Sequence, residues 1–291
     1  MEFPKPRVSF EYFPPKTLSA ERALMTAAHA LRRFSPEFQT MTFGAGGNAI
    51  DEGLDWPQRL QGLNDVPTAA HVALCRFSSR EALHEHVSSL WKQGIRHLVV
   101  LRGDAHMGLC GFENVAAGIE WLKSRFAFQF SVACYPETHP LAASPQADID
   151  ALLDKQKSGA DRAITQFFFD NEHFYRFRDR AERAGFYKEI VPGILPITNF
   201  DRVAEFAAKC GTNIPESVST AFQECGIDKE AQTNVARDFV TRQVEDLANN
   251  GVDAIHIYTL NRVDLAADAA RAFQRTGKVD SSREFKLDLV G

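Results

Sequence analysis

A glutamate inside an apolar strand pattern is the first residue of this chain equipped to do chemistry. The segment Val8-Ser-Phe-Glu11-Tyr-Phe13 sets one carboxyl between Phe10 and Phe13. Aromatic surroundings disfavour a charged carboxylate, so the sequence predicts a raised pKa and a group able to act as a general acid near neutral pH. The other reading is a carboxylate held structurally, by Arg102 or Arg262. Arg102-Gly103-Asp104 supplies a second acid, which either touches a ligand or caps the segment that follows it. Further on, Asp148, Leu152 and Lys155 recur at helical spacing, so an acid and a base share one helix face. Such an acid can accept from ribose hydroxyls and such a lysine can meet a phosphate, while a solvated charged face is the alternative.

Other chemistries find less support. Gly44-Ala-Gly46-Gly-Asn-Ala49 fits a G-x-G-x-x-A dinucleotide fingerprint after a strand. That fingerprint expects an acid closing the next strand about twenty residues on. Here the strand ends Leu74-Cys75-Arg76 and Asp65 precedes it, so a plain turn or a ligand-facing loop competes with the dinucleotide reading. His71 and Cys75 are four apart on a strand, hence ~13 Å apart along it, too far to share a metal ion. No G-x-S-x-G elbow and no C-x-x-C occur, so neither a serine triad nor a zinc ribbon is expected, and no metal is assigned.

Eight short runs rich in β-branched and aromatic residues must position these groups: 8–13, 38–43, 68–74, 97–101, 130–135, 163–169, 189–195 and 254–259. Segments of helical period separate most of them, at 19–34, 79–93, 114–125, 146–157, 171–184, 200–209 and 229–249, with a last at 262–275 and extra helix at 215–224. Gly94, Gly159 and Gly185 stand where helices should stop, in a left-handed C-cap. Alternating strand and helix implies parallel strands with right-handed crossovers, and eight units over ~260 residues fit a closed α/β barrel, the (β/α)8 TIM barrel, better than an open sheet. A barrel places its active site at the carboxyl ends of its strands. Glu11, Thr42, His71, Arg102 to Asp104, Tyr135, His139, Gln166 and Asn261-Arg262 all fall there.

Length and composition agree. No Gly/Ser-rich or charged linker divides the 291 residues, so a single domain over 1–291 is expected. The longest uncharged stretch, 38–50, is thirteen residues, short of a membrane span, and the N-terminus has no apolar signal region, which makes the cytoplasm the default compartment. Five scattered cysteines point to reduced thiols. A net charge of −5 without a basic cluster argues against nucleic acid. Phenylalanine supplies 23 of 31 aromatics, and Phe10, Phe13, Phe43, Phe167 to Phe169 and Phe206 fall near the expected active-site ends, where flat ligands need apolar walls.

At these residues the chain resembles the methylenetetrahydrofolate reductase family in its short bacterial form. The segments are Val-Ser-Phe-Glu11-Tyr-Phe-Pro-Pro, Thr42-Phe-Gly-Ala, Leu-Arg102-Gly-Asp104, Ala-Cys-Tyr135-Pro-Glu-Thr-His139-Pro, Gln-Ala-Asp148, Ile-Thr-Gln166-Phe-Phe-Phe-Asp170, Pro-Gly-Ile-Leu-Pro-Ile-Thr-Asn-Phe200 and Tyr258-Thr-Leu-Asn-Arg262. The resemblance implies an FAD-containing barrel that takes hydride from NADH or NADPH onto flavin N5. After the nicotinamide leaves, the flavin reduces 5,10-methylenetetrahydrofolate to 5-methyltetrahydrofolate, in one-carbon and methionine metabolism. NADH is implied over NADPH only by similarity to short bacterial forms. By the same similarity Glu11 is the acid that opens the folate imidazolidine ring, and Asp104 tunes the flavin and the folate cation. Gln166 contacts both substrates, Phe206 packs on either, and Arg262 matches a partner of the folate tail carboxylate. Flavin contacts carry over to Thr42, His71, Arg102, Gly103, Asp104, Tyr135, His139, Asp148, Lys155 and Ile164, the protein orienting a cofactor that does most of the chemistry. A homo-oligomer is implied as well.

The chain departs from the family pattern at three positions. Ala151 and Asp154 stand on the Asp148 helix where an asparagine and an arginine are usual, and an acid there weakens attraction for a pyrophosphate. Arg202 replaces a substrate-contacting glutamine, which favours an anionic group or a pairing with Glu11 or Asp104. Two rival functions follow. A flavin-free lyase or aldolase would need a Schiff-base lysine at a strand end, and none is found; a folate- or flavin-binding module would retain ligand without turnover. The end of the chain soon after the eighth unit implies that no S-adenosylmethionine-responsive regulatory domain follows.

Overall fold

The computed structural model describes residues 6–42, 55–103 and 108–279; Phe43, the glycine run at 44–49 and Asp104 lie outside the described residues. The order is β1 (Arg7–Tyr12), α1 (Leu18–Leu31), β2 (Phe38–Met41), α2 (Trp56–Asn64), β3 (Thr68–Ala73), α3 (Arg80–Lys92), β4 (His97–Leu101), α4 (Val115–Lys123), β5 (Gln129–Cys134), α5 (Pro145–Lys157), β6 (Arg162–Thr165), α6 (Asn171–Arg183), β7 (Glu189–Val191), β8 (Gly193–Ile194), α7 (Phe200–Cys210), α8 (Glu216–Glu224), α9 (Lys229–Asn249), β9 (Ala254–Tyr258) and α10 (Asp264–Val279). Every strand pair is parallel, and the order β7-β6-β5-β4-β3-β2-β1-β9-β8 makes a nearly closed barrel. The expected TIM-barrel class is borne out. All eight expected runs form strands, the seventh in two pieces.

Pro192 is the reason for the split. It has no N–H for a ladder, yet its carbonyl accepts from His256 N at 2.9 Å. The first half of the run therefore pairs with β6 and the second half with β9, so one strand joins both sides of the barrel. Helix α2 is absent from the sequence reading because Pro57 and Gly62 interrupt its pattern. Proline is harmless in a first turn, whose N–H groups lack partners anyway, and Trp56, Leu60 and Asn64 bury one face at i, i+4 and i+8. Elsewhere the expected punctuation holds: Ser79, Asn114 and Ser144 cap α3, α4 and α5 with side-chain oxygens, and Gly94, Gly159 and Gly185 all have positive φ.

Strand alternation sorts the side chains into an outer core and an interior. Val8, Phe10 and Tyr12 of β1 pack outward with α1, α9 and α10, while Val72, Leu98, Phe130 and Val132 pack on α3, α4 and α5. Inside lie Phe38, Ala69, Val99, Ile164, Val191 and Ala254, an apolar layer that closes the barrel centre. At the amino-terminal end Arg7 meets Glu37 (3.0 Å), Asp253 (3.1 Å) and Glu189, and Arg162 meets Glu37 (2.6 Å) and Glu189 (3.3 Å), tying β1, β6 and β7 together. No described helix is long and apolar enough to cross a membrane, and Cys75, Cys110, Cys134 and Cys225 form no disulfide.

His97 belongs to this interior. Its Nε2 lies 2.7 Å from Ser131 Oγ, and burial together with Arg162 pushes its pKa down to about 3. The folded-state value lies below the unfolded one, so the unfolded chain binds more protons and stability falls as pH drops through the window from about 6.5 to 3. One such group contributes a slope of up to about 1.4 kcal/mol per pH unit. Urea unfolding of His97→Gln at pH 7, 6 and 5 should therefore show a slope shallower by up to that amount. An unchanged slope would mean that His97 titrates normally in the fold.

Candidate active site

Glu11 is the penultimate residue of β1, with its side chain turned into the barrel because Phe10 and Tyr12 take the opposite face. Phe10, one of the expected aromatic flanks, is therefore turned away from it, and Phe13 lies past the end of the strand, 40% exposed. Its carboxylate is 17% exposed, and Oε2 accepts from Thr40 Oγ1 at 3.3 Å and lies 3.3 Å from His71 Nε2 and 3.4 Å from His256 Nε2. Burial pushes the pKa up, as anticipated, but the opposing attraction of the nearby His71 and the hydrogen bond with His256 outweigh it, and the net result is a pKa lowered to about 2. The raised pKa expected from sequence is thus corrected, and so is the pairing with Arg102 or Arg262. His256 in turn is held by Ser9 Oγ, 2.8 Å from Nδ1, and by stacking on Phe38, with its own pKa lowered by burial. Sequence reasoning missed His256. Its signal was the same as that of Glu11, one polar residue facing inward from an apolar strand, Ala-Ile-His256-Ile-Tyr.

Asn261 locks the mouth beside Glu11. Its amide donates to Phe13 O at 2.9 Å and accepts from Phe13 N at 3.1 Å, and Thr259 Oγ1 donates to Glu11 O at 2.7 Å. Leu260 and Asn261 both hold positive φ to make this turn. Around the rim, Thr42 Oγ1 is buried with no partner, and His71 Nε2, despite its closeness to Glu11, has no well-directed hydrogen bond. Gly103 has φ +91, and a Cβ there would fall 2.3 Å from Cys75 Sγ, so only glycine fits between β4 and β3. Arg102 beside it is exposed.

A second group gathers on β5 and α5. Asp148 Oδ2 accepts from His139 N at 2.9 Å, and His139 packs edge-on against Tyr135 with ring centres 4.4 Å apart. Lys155 donates to Ala133 O at 2.9 Å, and burial lowers its pKa. The solvated-face reading of Asp148 and Lys155 is therefore set aside. Asp154 does face solvent, where it pairs with Lys157 at 3.0 Å, and Ala151 is exposed. Ile164 sits deeper, in the apolar interior layer.

The third group faces the same end from β6, α7 and β9. Gln166 Oε1 accepts from Phe167 N at 3.0 Å. Phe206, 48% exposed, leans on Phe167 with ring centres 5.2 Å apart, and Phe167 meets Tyr258 edge-on. Arg202, one turn earlier on α7, and Arg262 are both exposed, so the pairing of Arg202 with Glu11 does not form. The phenylalanine cluster expected at the site is partly corrected: Phe10 and Phe168 are fully buried in the outer core, whereas Phe13 and Phe206 stay accessible. Among the described residues no group of His, Cys, Asp and Glu is placed to hold a metal ion.

These inward groups occupy the strand ends at which the sequence resemblance located them, and comparison with known proteins decides the family. The model of the methylenetetrahydrofolate reductase family matches residues 2–272. The chain belongs to that family. The 5,10-methylenetetrahydrofolate reductase of Pectobacterium carotovorum is 39% identical over 89% of this chain and 87% of its own, and that of Escherichia coli is 38% identical over 89% and 88%. A solved structure of a Clostridium thermocellum protein, described as binding two copies of 5-methyl-5,6,7,8-tetrahydrofolic acid, aligns with a TM-score of 0.62 over 95% of this chain and 96% of that one. At 12% identity that likeness is one of fold. Within the methylenetetrahydrofolate reductase family, this member carries an exposed Arg202 on the first turn of α7 and an acid, Asp154, on the solvent side of α5.

Proposed function

We propose that the chain is a flavin-dependent methylenetetrahydrofolate reductase, reducing 5,10-methylenetetrahydrofolate to 5-methyltetrahydrofolate with NADH or NADPH. The observation that carries this reading is Glu11, a carboxylate at the carboxyl end of the barrel interior, with two buried polar atoms at the same end, Thr42 Oγ1 and His71 Nε2, that make no well-directed hydrogen bond among the described residues, His71 Nε2 lying 3.3 Å from Glu11. Orphan polar atoms of this kind suit a heteroaromatic ligand that brings its own donors and acceptors. Single-domain organisation over 1–291, a cytoplasmic location and a homo-oligomeric state complete the proposal.

FAD, when bound, would take a hydride from the nicotinamide and pass it to the folate. Thr42, His71 and Gly103 would hold its ring, and the glycine lets the backbone approach closely; by the resemblance Asp104, next in sequence, would act with them. Arg102 and Lys155 would supply positive charge to its phosphates, and Asp148, Tyr135 and His139 would fix the rest, with Ile164 as apolar backing. Phe206 offers a flat, half-open wall to either substrate. Gln166 uses its carbonyl on Phe167 N and so leaves its amide N–H groups to donate to a substrate. Arg202 and Arg262 would attract the anionic ends of folate and nicotinamide nucleotide.

Glu11 would provide the acid. In the ligand-free chain it is ionised, since its pKa lies near 2. A ligand laid over its open edge removes the remaining water and drives the pKa upward, so the carboxyl can hold a proton and give it to a folate ring nitrogen.

Purified protein should be yellow, lose its flavin absorbance with NADH under anaerobic conditions, and regain it with methylenetetrahydrofolate. Colourless protein that binds no added FAD and oxidises no NADH with folate would end this reading. Flavin retention without turnover would select the binding module instead.

A further inference from the structure

Between the β5–α5 loop and α7 lies a buried carboxylate that no role above uses. Glu137 is 12% exposed; its Oε2 accepts from Asn213 N at 2.9 Å and lies 3.7 Å from His173 Nε2, while Oε1 is buried without a partner. Burial pushes its pKa up and Asp170 adds to the push, whereas the Asn213 N–H and His173 oppose it. A carboxylate kept in such a place needs its hydrogen bond, because losing the Asn213 N–H would leave a charge pressed by burial with one fewer partner.

What it joins gives it meaning. On one side are Tyr135 and His139, packed edge-on, with His139 N bound by Asp148 and the intervening Thr138 held at φ +73. Such a φ on a β-branched residue persists only where the surroundings enforce it. On the other side, Asn213 follows the end of α7 and Thr212, whose Oγ1 donates to Phe167 O at 3.3 Å, while the ring of Phe167 supports Phe206. Gly211 also packs on Pro140 so closely that a Cβ would come within 3.0 Å of its Cγ. One carboxylate thus spans the loop that would hold flavin and the helix that would hold substrate.

We propose that Glu137 is a positioning residue that fixes the spacing between these two walls by accepting the Asn213 N–H. The proposal rests on the flavin reading above. It attributes the effect to the acceptor oxygen and its reach, which two conservative variants separate. Glu137→Gln keeps an acceptor at the same reach, whereas Glu137→Asp keeps the charge but withdraws the oxygen by one methylene.

The test measures FAD dissociation constants by flavin fluorescence, and steady-state constants in flavin-saturated enzyme. Glu137→Ala and Glu137→Asp should raise the FAD Kd at least about ten-fold and the KM for methylenetetrahydrofolate about five-fold, with kcat within about two-fold. Glu137→Gln should stay within about three-fold of the parent on both constants, and Glu37→Gln, at the opposite end of the barrel, should lower Tm without moving either. Parent-like FAD binding by Glu137→Asp, or a loss in Glu137→Gln equal to that in Glu137→Ala, would overturn the proposal. A parent that binds no FAD would overturn the flavin reading and the proposal together.

Discussion

Glu11→Gln is expected to leave flavin reduction by NADH within about three-fold of the parent and to slow flavin reoxidation by methylenetetrahydrofolate at least about a hundred-fold, the scale of a lost general acid. The substitution is nearly isosteric, and its amide oxygen can still accept from Thr40 Oγ1, which reaches Glu11 at 3.3 Å in the parent. It removes the proton that folate activation needs but nothing that hydride transfer from nicotinamide needs. The two half-reactions can be followed separately by flavin absorbance. An equal loss in both would make Glu11 a structural carboxylate. Because the carboxyl of the free chain is held near pKa 2, it must gain its proton as folate binds, and the folate half-reaction should weaken as pH rises while flavin reduction does not.

Glu11 also marks where the sequence informs and where it misleads. Its isolation in an apolar strand identified it correctly as an inward group at a strand end, since strand alternation is local. The partners that set its charge are not local: Thr40, His71 and His256 come from β2, β3 and β9, brought together by register. Reading Phe10 and Phe13 as its surroundings failed because Phe10, adjacent in the strand, points to the opposite face, and Phe13 lies past the end of β1 and is 40% exposed. The barrel itself was legible, because eight runs of strand character separated by helices with caps at Ser79, Asn114 and Ser144 leave few topologies. Lys155 was ambiguous by spacing alone, and only its bond to Ala133 O distinguishes an inward-turned lysine from a solvated one. Glu137 was quoted within a motif but had no recognisable role, since its partners His173 and Asn213 lie 36 and 76 residues away.

The closing seam of the barrel gives the largest expected effect on stability. Gly193→Ala should destabilise the fold by at least about 3 kcal/mol, at the upper end of overpacking costs, and lower Tm by roughly 6 °C or more. The reason is space, not backbone freedom. A Cβ at Gly193 would lie 2.3 Å from Thr165 O and 2.8 Å from the Tyr258 hydroxyl. Those atoms are themselves bonded: Tyr258 donates to Thr165 O at 2.7 Å, and Gly193 N donates to Thr165 Oγ1 at 2.8 Å. With Pro192 unable to donate, this short junction is where β7 hands the seam to β8, so a displaced carbonyl has no neighbouring ladder to absorb it. Tyr258→Phe removes the clashing hydroxyl but not the clashing carbonyl, so the double variant should recover only part of the loss. Thermal unfolding of the parent, both single variants and the double variant gives the coupling directly. A Gly193→Ala chain that melts with the parent would show that the seam yields, and that closure depends instead on the Arg7–Glu37–Arg162–Glu189 network at the opposite end.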